Sequence, residues 1–129
     1  MKSIETLVKQ YTEILNEKKE TCKQNCDALT KDSRKDEADL EKIKLNIYDI
    51  FNTFIGVTQR EISKKQFNDE DAKYQAFCNE YLCSFDKIPE SWRIKLEKAK
   101  ENNDVINIVI EESKLSVASD LKNIFSNLI

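Results

Sequence analysis

Across 129 residues the chain has one glycine, Gly56, and one proline, Pro89. Average usage would give about 15 of the two together. Glycine supplies positive φ in tight turns, and proline pre-sets their first corner. A chain almost without them is poorly equipped for the repeated turns of a β sandwich or barrel. Helices joined by short polar loops remain. The expected fold is all-α: one domain over residues 1–129, a bundle of four to five helices on a long antiparallel N-terminal hairpin.

The same scarcity removes whole chemistries. A dinucleotide-binding loop needs three glycines and a phosphate-binding loop needs two. A nucleophile elbow needs two flanking glycines. The chain has no histidine, so no Ser-His or Cys-His pair, His-ligated zinc or Glu-x-x-His di-iron site can be built.

Apolar spacing gives the helices. Ser3 is placed as the N-cap of a helix over about 4–30, with Ile4, Leu7, Val8, Tyr11, Ile14, Leu15, Cys22, Cys26 and Leu29 on one face. Lys18 and Asn25 interrupt that stripe, so its distal half is partly buried or these groups face a neighbour. Lys31–Lys35 reads as a connection, and Ser33 with Asp36 resembles a capping box. A second helix over about 36–64 carries a broad apolar arc, including Leu40, Ile43, Ile47, Ile50, Phe51, Phe54, Ile55, Val57 and Ile62. Gly56 falls inside it and reads as a close-packing point or slight bend, with a helix break as the alternative.

Asn68 or Asp69 caps a third helix to about Phe85, with Ala72, Phe77, Cys78, Tyr81, Leu82 and Phe85 inward. Pro89 starts a fourth, striped by Ile88, Trp92, Leu96 and Ala99. After a turn at Asn102–Asp104, the last helix runs over about 105–128. Its expected inward face is Ile106, Val109, Ile110, Val117, Leu121, Ile124 and Leu128. Val105–Ile110 is rich in β-branched residues, which is strand chemistry. No second strand exists to pair with it, so a buried helix start is expected.

The reactive candidates are Cys22, Cys26, Cys78 and Cys83. C-x₃-C suits a shared metal or disulfide partner, but C-x₄-C puts Cys78 and Cys83 about 140° apart on a continuous helix. The expected roles are buried apolar side chains for Cys22, Cys26 and Cys78, with Cys83 off its stripe. Glu111 and Glu112 point about 100° apart and are placed on a solvated face. Trp92 lies among Arg93, Lys95, Lys98 and Lys100, but Glu90, Glu97 and Glu101 offset those charges, so an ordinary half-buried tryptophan is expected.

Leu45, Ile94, Ile108 and Leu115 fall opposite the main stripes of their helices. A contiguous patch of such residues would mark an interface, while burial on two sides would explain them within the bundle. Net charge is −3, with 21 basic and 24 acidic residues. This balance lacks the footprint of a nucleic-acid binder. Lys2, Glu5, Lys9 and Glu13 interrupt any signal-type apolar run, and no run is long enough to span a membrane. The expectation is a cytoplasmic, non-catalytic interaction or regulatory module with a protein partner or as a homodimer. It would bind no nucleic acid, membrane, metal or other cofactor. A cysteine-based redox sensor or metal binder is the second reading. An enzyme with a carboxylate or lysine site between helices is the third.

Overall fold

The computed structural model describes residues 3–129. Five helical segments follow in chain order: α1 (Ile4–Lys31), α2 (Lys35–Ser63), α3 (Glu70–Lys87), α4 (Glu90–Glu101) and α5 (Val105–Leu128). There is no strand among the described residues, so the β-branched run at Val105–Ile110 opens a helix. No helix among them is long and apolar enough to cross a membrane.

α1 and α2 pack together along their length as a hairpin. The turn is built without glycine. Ser33 takes the left-handed conformation at φ 57°. The Ser33 N–H donates to the Thr30 carbonyl at 3.1 Å, and the Arg34 N–H to that of Leu29 at 2.9 Å. These two bonds form a Schellman motif, which satisfies carbonyls left over at a helix end. Ser33 therefore ends α1 and does not cap α2. The expected capping box is absent because that residue is already committed to the preceding helix. Arg34 occupies the α2 N-cap with no side-chain capping bond.

The turn between α4 and α5 repeats the solution. Asn103 sits at φ 54°, and the Asp104 N–H reaches the Ala99 carbonyl at 2.8 Å. Asparagine tolerates this conformation better than serine does. Asp104 then caps α5 by accepting from the Asn107 N–H at 3.3 Å. Asp69 caps α3 by accepting from Ala72 at 2.8 Å, and Ser3 caps α1 by accepting from Thr6 at 3.1 Å.

Gly56 neither breaks α2 nor lets another chain segment approach. A Cβ built there meets nothing within 4 Å outside its local backbone. Its expected role as a close-packing point is overturned. Pro89 does mark a boundary, but the path from α3 to α4 is nearly continuous, with Ile88 and Pro89 both in the right-handed helical region. Proline lacks the N–H that would bond the Phe85 carbonyl. Arg93 reaches back instead: Nη2 donates to the Phe85 carbonyl and Nη1 to that of Asp86, both at 3.1 Å.

Aromatic residues from four helices meet at the centre. Tyr11 packs edge-on against Tyr81 and Phe125 at centroid distances of 5.4 and 5.1 Å. Phe51 stacks on Phe85 at 4.8 Å, and Tyr81 touches both Phe85 and Phe125. Tyr81 donates its one proton to the Phe51 carbonyl at 3.0 Å. Tyr11 therefore donates to the Tyr81 oxygen at 2.8 Å. Burial pushes both phenols well above the ordinary tyrosine range.

Around this hub the stripes of α1, α2 and α3 run as expected. Lys18, which interrupts the α1 stripe, pairs with Asp120 of α5 at 3.4 Å. α5 differs from expectation. Val117, Leu121 and Phe125 are buried, but Val105, Ile106 and Val109 are exposed at 69%, 74% and 43%. The helix start is therefore not buried. The first turns of α5 lie against α4 and leave another side uncovered.

Candidate functional site

Two features stand out, and both lie on the N-terminal half of α5. The first is an apolar groove of about 310 Å³ between the start of α2 and the start of α5. Leu40 and Ile43 form one wall, and Val105, Ile106 and Val109 the other. On α5, spacing of three and four residues aligns Val105 and Ile106 with Val109. The capped turn at Asp104 starts α5 and puts these side chains on its first two turns. Asp36 and Asp39 border the groove. Asp39 pairs with Lys42 at 3.8 Å, and Asp36 has no ion pair among the described residues.

The residues singled out for an interface fall in different settings. Leu45 and Leu115 are partly buried and pack against the core. Ile108 is half-buried, and Ile94 is 62% exposed. The exposed apolar surface of α5 thus lies at Val105, Ile106 and Val109, which sequence periodicity assigned in part to the core.

The second feature is Glu111. It was placed with Glu112 on a solvated face, yet it is only 5% exposed. Glu112 is exposed, as expected. Ile108, Glu111 and Leu115 follow the three-and-four spacing of one helix face, and Glu111, with Asn107, Ile110 and Lys114, borders Lys95, Lys98 and Ala99 of α4. The apolar line through Ile108 and Leu115 was visible in the sequence. Extending it by one helical step would have found the buried acid.

Lys114 Nζ donates to Glu111 Oε1 at 3.2 Å, while Oε2 has no hydrogen-bond partner among the described residues. A buried acceptor left unpaired costs about 1–3 kcal/mol, and more when charged. The same Lys114 ammonium stands 6.0 Å from the Trp92 ring centroid, and Trp92 is itself buried. An open groove of about 360 Å³ lies between the end of α4 and the start of α5, with Glu111 among its lining residues.

All four cysteines are free thiols. Cys22 and Cys78 are buried, Cys26 is half-buried and Cys83 is exposed. Burial, with the Glu41 carboxylate adding to it, pushes the Cys22 thiol up to about 11. Burial also raises the Cys78 thiol, next to Tyr74. These two are poor nucleophiles at neutral pH, because the thiolate is the reactive form. Among the described residues no group of three or more histidines, cysteines, aspartates or glutamates is gathered to hold a metal ion.

No family model matches this chain, and comparison with curated proteins and with solved structures returns no match.

Proposed function

We propose that the chain is a non-catalytic protein–protein interaction module whose docking face is the groove between α2 and α5. The observation that carries this reading is the exposure of Val105, Ile106 and Val109 side by side, opposite Leu40 and Ile43. Exposing large apolar side chains together is unfavourable in water, and such patches mark contact sites. A partner helix with an apolar stripe matches the groove. Lys or Arg at one end of that stripe would meet Asp36 and Asp39.

The test is selection of displayed helical peptides against the folded protein, with Ile106→Glu as the counter-target. The expected winners carry apolar residues at helical spacing with basic flanks, and they fail to bind Ile106→Glu. Peptides that bind both proteins equally would defeat the assignment. Self-association that Ile106→Glu abolishes would identify a second copy of the chain as the occupant.

A further inference from the structure

The apolar docking groove does not end at Val109. That side chain also borders an open trough of about 590 Å³, lined by Lys44 and Tyr48 of α2 and by Ser113, Ser116 and Asp120 of α5. Lys44 and Tyr48 also border a second open trough, of about 560 Å³, that runs on to α1. Tyr48 thus sits where the two troughs meet. It is only 7% exposed, yet its hydroxyl has no hydrogen-bond partner among the described residues. Among those residues, the one side-chain oxygen both unpartnered and sealed from solvent is Glu111 Oε2. The Tyr48 hydroxyl is therefore open to the trough. Burial, with the neighbouring Cys22, Asp120 and Glu41 adding to it, pushes its pKa up to about 12, so at neutral pH it keeps its proton and can donate it. Charge along the whole track is one-sided. Both lysines that border it are already paired, Lys18 with Asp120 at 3.4 Å and Lys44 with Glu41 at 3.5 Å. Asp36, Glu112 and Glu17 border it with no ion pair among the described residues.

We propose that the docking groove takes a basic helical segment of a partner protein that continues past Val109 into this trough, where an Asn or Gln amide accepts the Tyr48 proton. This rests on the docking reading above and adds length and register to it. A partner's carboxylate would find no free cation along the track, whereas Lys or Arg finds Asp36, Glu112 and Glu17 free. At Tyr48 itself a carboxylate would face Asp120 and Glu41, and an apolar group would leave the hydroxyl unpaired, which is costly once water is excluded. A neutral amide avoids both, because its oxygen accepts from Tyr48 and its nitrogen can donate to Asp120. Asp120 Oδ2 faces Lys18, and Oδ1 remains for the amide. At about 1.5 Å per residue, the stretch of α5 from Val105 to Asp120 covers about 22 Å. The segment therefore needs about four helical turns, where the apolar groove alone needs about two.

The experiment selects displayed helical peptides of about 18 residues, about 27 Å long, on the full chain and keeps those that Ile106→Glu abolishes. The expected binders carry Lys or Arg, with an Asn or Gln about two turns beyond the apolar stripe. By fluorescence anisotropy, Tyr48→Phe should weaken them about fivefold. It should have no further effect once that amide is replaced by alanine, since the two groups then share no bond to lose. Ser116→Lys, at an exposed position, should weaken them about tenfold by filling the trough and repelling a basic partner. Urea unfolding should place Tyr48→Phe near the parent chain, because the hydroxyl it removes bonds nothing there. Ser116→Lys keeps the test decisive if Tyr48→Phe does not fold. Ile106-dependent binders whose affinity neither variant changes, or that are rich in Asp and Glu, would overturn this proposal and leave the docking groove standing. No Ile106-dependent binder at all would overturn both. Self-association that Ile106→Glu and Ser116→Lys each abolish would put a second copy of the chain in the track and overturn the partner named here.

Discussion

The one residue able to adopt a left-handed turn without strain sits mid-helix at Gly56, while Ser33 takes that conformation at φ 57°. Glycine in a helix interior costs about 1 kcal/mol relative to alanine. Gly56→Ala has open space for its methyl group, so it should stabilise the protein by about 1 kcal/mol. A non-glycine residue held in this region costs about 1–3 kcal/mol. Ser33→Gly should therefore also stabilise, less the added freedom of the unfolded chain. Urea unfolding of each variant checks both signs. Titration gives another residue-level test. Burial raises Cys22 from 9.0 to about 11 and Tyr48 from 10.0 to about 12. Below the ordinary values, both folded and unfolded chains keep these protons, so stability does not vary with them. Between about 9 and 12 the unfolded chain releases protons that the folded chain retains, and stability falls as pH rises. Urea midpoints measured across that range should drop, and Cys22→Ala should reduce the early part of the drop, which the buried Cys78 thiol shares. Pro89 was legible as a helix boundary, because its ring and missing N–H act locally. The environment of Gly56 was not legible, because close packing depends on which neighbour arrives.

Each helix was legible where its apolar stripe had one side to cover. Leu7, Tyr11 and Leu15 on α1, and Phe77, Cys78 and Tyr81 on α3, are buried as their spacing requires. α5 was not, because α4 covers one side of its N-terminal half and the hub covers another side of its C-terminal half. Two lines on one helix cannot be ranked by periodicity alone. Ile106 and Val109 were thus placed inside and Glu111 outside, the reverse of the observed arrangement. The chemistry of the candidate site lies in that reversal. The contact between α1 and α3 offers a sharper element-level test. Tyr81→Phe removes the acceptor for the buried Tyr11 hydroxyl and should destabilise by about 1–3 kcal/mol. Tyr11→Phe leaves Tyr81 bonded to the Phe51 carbonyl and should cost less. The double variant should be less destabilised than the sum, since removing both partners leaves no hydroxyl orphaned. A double-mutant cycle by chemical denaturation measures that coupling.

For the whole molecule, the hub joins α1, α2, α3 and the C-terminal half of α5, while α4 lies beyond it. α4 is held mainly by α5, by Trp92 and by Arg93. Fewer buried contacts mean a lower free energy of local opening. Hydrogen exchange should therefore show α4 opening before α1 or α3. Arg93→Ala should speed exchange in α4 and leave the hub amides of α3 close to their original rates. Unchanged α4 exchange would show that the arginine carries no weight there. Mechanically, the guanidinium is a strut across an elbow. Proline removes the bond that would make the joint stiff, and Arg93 spans it on the outside, from one turn beyond the bend to the Phe85 carbonyl. Phe85 is itself stacked on Phe51. A pull on α4 is thus borne at the centre of the molecule, and the elbow holds its angle where an unbraced proline joint would swing.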